Sequence, residues 1–266
     1  MASTQDFNGK WALVTGASAG IGAALARELA AHGAKLILTA RRRDRLEALA
    51  AELTASGTEV RIVVANLVDP AAALKIFDAT EGEGLDVDIL INNAGLGQLS
   101  AFCDSSVEQE LSQVAVNCDA VVRLSRLFVP HMVRRGRGWV LVVASTASFQ
   151  PIPYMATYAA TKAFDRFFAL GLASEVAPYG VKVTALCPGP TDSEFFDVAK
   201  APAFKSRGVQ SAPEVARLAI HALARGKRIL IPNFAGRFTA LLVRFLPVGL
   251  ITWVMEKVLR PKPPSA

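Results

Sequence analysis

The chain has 266 residues, of which 52% are hydrophobic and 20% charged, which is typical of a large folded domain and excludes an intrinsically disordered protein. Its formal net charge of +6 suits a nucleic acid, an anionic membrane surface or a phosphate-bearing small ligand. No basic run interleaved with aromatic residues and no nucleic-acid-binding motif is present, so we expect no nucleic-acid partner.

Seven short apolar runs alternate with longer stretches of helical spacing between Lys10 and Pro232. The runs are WALVT, KLILTA, VRIVVA, DILINN, WVLVVAS, VKVTALC and RILIP. Continuous apolar strands separated by helices predict a parallel sheet covered on both faces, with ligands at the carboxyl ends of the strands. We therefore predict the α/β fold class, as a single Rossmann-type, doubly wound domain over residues 1–232. One helix is predicted to follow Asp44 and to end before Gly57.

The first predicted strand leads into a glycine-rich stretch, TGASAGIG, from Thr15 to Gly22. Gly16 permits a tight turn, and we expect Gly20 and Gly22 to let the backbone approach a pyrophosphate at the start of the next helix. The alternative is an ordinary glycine-rich turn between a strand and a helix. The position after the first strand of an alternating α/β chain favours the dinucleotide site.

An arginine cluster follows the second predicted strand. A domain of this kind that prefers NAD carries Asp or Glu at the end of that strand, where the carboxylate binds the ribose 2′-hydroxyl; here the residue is Ala40. We expect Arg41 to contact a 2′-phosphate, assisted by Arg42, whereas Arg43 and Arg45 face solvent. The cofactor prediction is NADP(H). The alternative is that the arginines only solvate the start of a helix.

The motif YAATK places Tyr158 and Lys162 four residues apart, on one face of a helix. A lysine ammonium and a positively charged nicotinamide ring would both lower the pKa of the phenol and make it a usable acid or base. Ser145, at the end of the strand WVLVVAS, is placed to reach the same carbonyl oxygen. Taken alone, a Tyr and a Lys at this spacing also fit a solvated helix face.

Two further groups of amides and turns complete the candidate site. Asn117 is an amide inside an apolar helical stretch, where it can act in the site or satisfy buried backbone groups. The motif NNAG, Asn92 to Gly95, ends the fourth strand and suits contact with ribose or adenine. The stretch CPGPTDSEF follows the sixth strand and puts a Pro-Gly turn where a nicotinamide amide can be held.

In this order and spacing, these motifs resemble the short-chain dehydrogenase/reductase family, over about Lys10 to Pro232, and within it the NADP(H)-preferring carbonyl or ketoacyl reductases. The resemblance implies that Tyr158 is the acid–base, that Lys162 binds the nicotinamide ribose, that Ser145 orients the carbonyl and that Asn117 holds a water in a proton relay. It also implies a seven-stranded parallel sheet, and a homodimer or homotetramer built through the helices that carry Asn117 and Tyr158.

The same resemblance assigns the cofactor-binding positions. They are Gly16, Ser18, Ala19, Gly20, Ile21, Gly22, Arg41, Arg42, Asn66, Leu67, Asn93, Ala94, Gly95, Tyr158, Lys162, Pro188, Gly189, Thr191 and Ser193. The chain departs from the family at Asn66, where Asp is usual and contact with adenine is in question, and at Ser193, where Thr is usual but the hydroxyl is kept.

Apolar side chains near the predicted nicotinamide site favour a small hydrophobic ketone or aldehyde as the substrate, reduced to the alcohol by reversible hydride transfer. The predicted substrate pocket comprises Phe149, Ile152, Met155, Phe195 and Phe196, and Phe204 is a further aromatic residue in the same stretch. Two other functions stay open at this point. The chain can be a catalytically silent NADP(H)-binding redox sensor, or a membrane-associated scaffold whose catalysis is vestigial.

Residues 233–266 form an apolar C-terminal extension rather than a separate domain. Its stretch Phe238–Arg260 is interrupted by Arg244 and Pro247, so we do not predict a transmembrane helix. Three roles stay open: closing the substrate pocket, forming a subunit interface, or making peripheral contact with a membrane, with Trp253 at the lipid headgroups. Residues 261–266 are expected to be disordered.

The cysteines and histidines bear on metal binding and on location. Cys103, Cys118 and Cys187 form no CxxC pair, and the three histidines are scattered along the chain, so we predict reduced thiols and no metal site. The first residues show no basic segment followed by an apolar one, as a secretory signal would. We expect a cytoplasmic protein, with peripheral membrane association through residues 238–260 as a further option.

Overall fold

The computed structural model describes residues 4–195, 199 and 209–260. Within that part of the chain, seven parallel strands form one sheet in the order β3-β2-β1-β4-β5-β6-β7, which confirms the predicted fold class. The strands are β1 (Trp11–Thr15), β2 (Lys35–Ala40), β3 (Val60–Val64), β4 (Val87–Asn92), β5 (Gly138–Val143), β6 (Val181–Leu186) and β7 (Ile229–Leu230).

Helices cover both faces of this sheet. They are α1 (Gly20–Ala31), α2 (Arg43–Ala55), α3 (Ala72–Asp78), α4 (Val107–Val114), α5 (Ala120–Arg135), α6 (Ala156–Val176), α7 (Ala212–Ala224), α8 (Phe234–Leu242) and α9 (Val248–Leu259). As predicted, α2 ends before Gly57, which has a φ of +88°, a left-handed conformation that only glycine adopts without strain.

The apolar strand sequences explain the two hydrophobic layers. Every residue of β1, β4 and β5 is buried, because each strand is covered from both sides. Val14 and Leu36 point to the layer that includes α1 and α7, whereas Leu13 and Leu90 point to the layer that includes α5 and α6. Side chains alternate across a strand, so one run of apolar residues supplies both layers.

The order of the strands places the site. β1 pairs with β2 on one side and with β4 on the other, so the chain reverses its direction of progress across the sheet between β1 and β4. In open α/β sheets a crevice forms at this point, outside the carboxyl ends of the strands. The glycine stretch after β1, the arginines after β2 and the NNAG motif after β4 all lie at that edge.

The C-terminal extension forms two helices, α8 and α9, separated by residues 243–247. The break falls at the predicted interruption, because Pro247 has no N–H to donate and stands directly before α9. Strand β7 is shorter than the run RILIP and keeps only Ile229 and Leu230. No helix among the described residues combines the length and the hydropathy needed to cross a membrane. Residues 261–266 lie outside the described part of the chain.

Candidate active site

A cavity of about 590 Å³ opens at the carboxyl edge of the sheet. Every position predicted to bind the cofactor lines it, from Gly16 in the first turn to Ser193 after β6. Of the predicted catalytic residues, Ser145, Tyr158 and Lys162 line the cavity as well, whereas Asn117 does not. The fold therefore brings residues that follow six different strands, β1 to β6, into one compartment.

The glycine turn leaves the start of α1 open to that cavity. Gly16 and Gly20 have φ values of +66° and +55°, which the turn requires and other residues rarely adopt. Ala19, at the N-cap of α1, offers no side-chain acceptor. The first N–H groups of the helix therefore have no side-chain cap, and this end of the helix dipole attracts an anion.

The structure gives a different reason for glycine at residue 22 from the one that we predicted. We predicted that Gly20 and Gly22 make room for a ligand, but a Cβ on Gly22 would lie 2.3 Å from the Gly16 carbonyl oxygen and 2.4 Å from Asn93 Nδ2. A Cβ on Gly20 would lie 2.8 Å from the Ser193 Cβ. Protein atoms therefore leave no room for a Cβ at either glycine, and glycine at residues 20 and 22 allows the turn to pack against its neighbours.

The amides after β4 are used within the protein. Asn93 Nδ2 donates to the carbonyl oxygens of Thr15 (2.8 Å) and Gly16 (3.3 Å), and the Asn93 backbone N–H donates to Thr15 Oγ1 (2.9 Å). Asn92 is buried and donates to Ser125 Oγ. The prediction that both amides suit a ribose or an adenine was therefore wrong for Asn92, which does not line the cavity. Asn93 lines it while bracing the glycine turn.

The two positions that depart from the family pattern both lie at the cavity. Asn66 Oδ1 accepts a hydrogen bond from the Val68 backbone N–H at 3.3 Å, which is a local turn contact that Asp could also make. Ser193 Oγ donates to the Thr191 carbonyl oxygen at 3.3 Å. The hydroxyl at residue 193 is therefore present beside the Pro-Gly turn, as expected.

Of the two arginines predicted to contact a 2′-phosphate, Arg42 is bonded to other residues of the protein. Arg41 is exposed at the cavity beside Ala40. Arg42 also lines the cavity, but its guanidinium donates to Glu194 Oε2 at 2.7 Å and to Ser18 Oγ at 3.1 Å. Glu194, a residue that we did not select from the sequence, thus ties the end of β2 to the segment after β6. Arg41 is the arginine whose placement suits a 2′-phosphate best.

The remaining arginines of the cluster were predicted to face solvent. Arg43 is exposed and pairs with Glu47 one turn later. Arg45 is exposed as predicted, and its guanidinium also lies 3.6 Å from Glu194 Oε1. The contact could not be inferred from spacing, because almost 150 residues separate the two partners in the chain.

Tyr158 and Lys162 lie on consecutive turns of α6, as their spacing predicted. Lys162 is 4% exposed and donates from Nζ to the Val143 carbonyl oxygen (2.8 Å) and to Asp165 Oδ2 (2.9 Å). An ammonium carries three protons, and these two contacts leave one for the cavity that Lys162 lines. Asp165, one turn further along α6, is 1% exposed and was missed by the sequence reasoning, although its spacing from Lys162 was a usable signal.

The pKa of Tyr158 is raised in the protein alone, whereas we predicted that Lys162 and a positively charged nicotinamide ring together lower it. Burial raises the pKa of this phenol above its ordinary value; the Lys162 ammonium and a hydrogen bond with Ser145 oppose the rise, and the Asp165 carboxylate adds to it. The prediction of a lowered pKa counted the ammonium but neither the burial nor Asp165. In the protein alone, Tyr158 therefore keeps its proton at neutral pH.

Asn117 acts on the backbone, which is one of the two roles that we left open. It is fully buried in the short π-helical segment Ala115–Asp119. Its Oδ1 accepts from the Leu96 N–H, and its Nδ2 donates to the Leu96 carbonyl oxygen and to Thr161 Oγ1, all at 2.8 Å. These bonds fix the loop after β4 against α6, directly beside Lys162.

Apolar groups form the part of the cavity assigned to the substrate. Ile152, Met155 and Phe195 line it, and the Phe195 ring lies 5.5 Å from the Tyr158 ring, centroid to centroid. The extension contributes residues that the sequence did not single out, among them Asn233, Ala235, Gly236, Thr239 and Met255. The inner faces of α8 and α9 therefore close one side of the cavity.

One predicted aromatic residue, Phe149, is not part of this wall. The Arg166 guanidinium lies 4.3 Å from its ring centroid instead, a cation–π contact. Phe196 and Phe204 lie outside the described residues, so their place is not assigned.

The cysteines and histidines are not among the residues that line the cavity. The three cysteines are free thiols, and burial raises the pKa of Cys118 and of Cys187 to about 11. The scattered histidines were the reason for predicting no metal site, yet His32 and His221 meet Glu28 between α1 and α7, with ligand atoms within 4.8 Å of one another. Distance along the sequence was thus a poor guide to their separation in space.

The chain is similar to known proteins of one family. Residues 10–202 match the family model described as short chain dehydrogenase. The very-long-chain 3-oxoacyl-CoA reductase of Pyrenophora tritici-repentis is 38% identical over 226 residues, which is 76% of this chain and 65% of that protein. The chain thus spans about two thirds of the length of this relative. The oxidoreductase UcpA of Escherichia coli is 35% identical over 88% of this chain and 87% of its own.

Solved structures share the whole architecture. A short-chain dehydrogenase from Sphingobium yanoikuyae in complex with NADPH superimposes with a TM-score of 0.81 and 32% identity, covering 97% of this chain and 98% of that one. A short-chain dehydrogenase/reductase from Burkholderia phymatum in complex with NAD gives a TM-score of 0.82 and 26% identity, covering 98% and 99% of the two chains. The two structures hold different nicotinamide cofactors.

Proposed function

The chain belongs to the short-chain dehydrogenase family of oxidoreductases, and from that membership we propose that it reduces a hydrophobic ketone or aldehyde with NADPH. The observation that carries the proposal is the meeting of Tyr158, Lys162 and Ser145 in one cavity with the open start of α1. An anion-binding helix end and a proton-transfer group then lie in one compartment, as hydride transfer from a dinucleotide requires.

The residues present suit a bound nicotinamide dinucleotide, which supplies the hydride. Tyr158, protonated at neutral pH in the protein alone, donates its proton to the carbonyl oxygen of the substrate. Ser145 holds that oxygen with its hydroxyl. The buried Lys162 ammonium stabilises the phenolate that remains and directs its third proton toward the cavity, where a ribose hydroxyl can accept it.

The choice of NADP(H) over NAD(H) is supported by the end of β2. Ala40 places no carboxylate there to repel a 2′-phosphate, and Arg41 is exposed beside it. A charge-assisted contact of a guanidinium with a phosphate is among the stronger polar interactions in proteins. The Sphingobium relative, crystallised with NADPH, agrees with this choice.

Steady-state kinetics with both cofactors test it. We expect a higher kcat/KM with NADPH than with NADH in the wild type. Because a hydrogen bond to a charged group contributes about 1.5–3 kcal/mol, Arg41→Ala should lower the NADPH preference roughly tenfold to a hundredfold. Arg43→Ala is the matched control, since Arg43 is exposed and pairs with Glu47. A wild type that prefers NADH would refute the assignment.

The substrate class is supported by the apolar wall of Ile152, Met155 and Phe195. Several relatives are named very-long-chain 3-oxoacyl-CoA reductases, which is consistent with a ketone on an apolar chain. A panel of aliphatic, aromatic and 3-oxoacyl ketones, followed by NADPH oxidation, tests the proposal. Tyr158→Phe should lower kcat by roughly a hundredfold to ten-thousandfold, the range typical of a lost general acid.

The same panel distinguishes the enzyme from its rival. Tight NADPH binding without turnover of any ketone would indicate a redox sensor that binds NADP(H). Turnover that survives in Tyr158→Phe would instead place the proton transfer on another group. The presence of Ser145, Tyr158 and Lys162 together in the cavity favours the enzyme, because a protein that only binds the cofactor does not need all three.

A further inference from the structure

We propose that the outer face of the C-terminal helices, α8 and α9, docks on an anionic lipid bilayer. The proposal concerns binding and does not depend on the reaction that the site performs. It starts from the two faces of these helices, which differ in what they contact.

The inner face of α8 and α9 packs against the rest of the molecule. Gly236, Ala240, Ile251 and Leu259 are buried, and the same side of the helices lines the cavity through Thr239 and Met255, among others. The helices are therefore held in place by packing, and their orientation relative to the domain is defined.

The outer face is apolar and uncovered. Large apolar side chains that are more than half exposed follow one another from the start of α8 to the end of α9; they include Phe234, Phe238, Phe245, Val248, Trp253 and Val258. Single exposed apolar residues are common, but a continuous group of aromatic and aliphatic side chains marks an interaction surface. Aromatic residues, Trp above all, prefer the boundary between lipid headgroups and acyl chains.

The charges on this segment favour a negatively charged partner. Between residues 233 and 260 the basic side chains are Arg237, Arg244, Lys257 and Arg260, and Glu256 is the one carboxylate. Glu256 is already paired with Arg260. The basic side chains are exposed, so each can meet a lipid phosphate or carboxylate while its aliphatic stem lies along the apolar surface.

A second copy of the chain fits this face less well than a bilayer does. Pairing two copies through this face by a twofold axis would bring eight basic side chains and only two carboxylates into one interface. The molecule also exposes apolar side chains elsewhere, on α5 and α6 at Val122, Phe164 and Phe167, which a second copy can cover without bringing these basic residues together. The basic, aromatic outer face of α8 and α9 is thus left for a different, anionic surface.

Co-sedimentation of the full chain with vesicles tests the proposal. We expect binding to vesicles of phosphatidylcholine that contain phosphatidylserine, much weaker binding to phosphatidylcholine alone, and release at high salt, because screening weakens the electrostatic part. The double variant Phe245→Glu/Trp253→Glu should lose most of the binding. Leu74→Glu, an exposed apolar residue of α3, is the matched control and should bind as the wild type does.

The outcomes separate the alternatives. Circular dichroism and NADPH affinity of the double variant should equal those of the wild type, which shows that the variant is folded. Equal sedimentation of the wild type with and without anionic vesicles would overturn the proposal. So would a change of oligomeric state in the double variant without any vesicle binding by the wild type, because a second copy would then cover this face.

Discussion

Lys162 shares a buried turn of α6 with the carboxylate of Asp165, and this pair determines how the lysine meets the cavity. Burial alone would lower the pKa of Lys162, but Asp165, together with Tyr158 and Cys118, holds it above its ordinary value. Nothing else among the described residues accepts a hydrogen bond from Nζ except the Val143 carbonyl oxygen. The lysine is therefore both charged and oriented because a carboxylate lies beside it.

Removing one partner of this pair should be costly. Asp165→Leu leaves a buried ammonium without its counter-charge, and we expect the free energy of unfolding to fall by about 3–5 kcal/mol. The double variant Lys162→Met/Asp165→Leu should recover most of that loss, because no charge is then buried. Urea unfolding measures both. Glu175→Gln, an exposed carboxylate on the same helix, should lie within about 0.5 kcal/mol of the wild type.

Gly22 offers a second prediction at the scale of one residue. A methyl group at this position would meet the Gly16 carbonyl oxygen at 2.3 Å, so the glycine turn has to shift. We expect Gly22→Ala to lower the free energy of unfolding by about 1–3 kcal/mol, as overpacking does, and to weaken NADPH binding. Isothermal titration calorimetry and urea unfolding measure the two effects.

Gly171→Ala is the control for that substitution. Gly171 is also helical, but a Cβ there would have no other atom within 4 Å. The added methyl group should stabilise α6 by about 0.5–1 kcal/mol through helix propensity alone. Equal effects of the two substitutions would contradict the packing role assigned to Gly22.

Among the elements, helix α5 has a defined start and a defined end. A π-helical segment precedes it, and a left-handed glycine and a buried ion-pair cluster mark its end. Its start follows the π-helical segment that carries Asn117, and its end is set by Gly136 with a φ of +67°. In the last turn, Arg135 pairs with Glu81 (2.9 Å), Asp86 and Asp88 (both 3.3 Å). The carboxylates of Glu81 and Asp88 are almost fully buried, so this arginine joins α5 to the start of β4.

We expect Arg135→Met to destabilise the protein by about 3 kcal/mol or more, because it removes both hydrogen bonds that the guanidinium donates to the buried Glu81 carboxylate. Arg27→Met is the control. Arg27 makes two short hydrogen bonds to Glu52, but both side chains are half exposed, and such a surface pair contributes about 0–1 kcal/mol. Thermal unfolding of the two variants under one set of conditions compares them, and similar losses would show that burial does not decide the effect.

At the scale of the whole molecule, the apolar surface of α5 and α6 supports the predicted self-association. Val122, Phe164 and Phe167 are exposed on these helices. Helix α6 also carries Tyr158 and Lys162, and α5 directly follows the segment that carries Asn117. We propose that the chain forms a homodimer or homotetramer through this surface. Contact between copies would then stiffen the helix that carries Tyr158 and Lys162.

Sedimentation velocity tests that proposal. The wild type should sediment as a dimer or tetramer, and Phe167→Glu should shift it toward the monomer, because two introduced charges would be buried in the contact. Leu74→Glu should leave the assembly unchanged. A wild type that stays monomeric at high protein concentration would refute the proposal.

Local sequence patterns by themselves determined many of the structural elements of this protein and part of its candidate site. The strands, the glycine turn, the break before α9 and the shared face of Tyr158 and Lys162 all follow from spacing over a few residues, since periodicity and turn chemistry act locally. The missing carboxylate at Ala40 could likewise be read from its place after a strand. These features need no knowledge of distant contacts.

Only the tertiary structure decided the contacts between distant segments. It brought Glu194 to Arg42, clamped Leu96 with Asn117, turned Phe149 toward Arg166 and placed Met255 beside the cavity. It also showed that burial raises the pKa of Tyr158 in the protein alone, an effect that depends on everything packed around the phenol. Such properties arise from long-range packing and desolvation, and a sequence pattern reports neither.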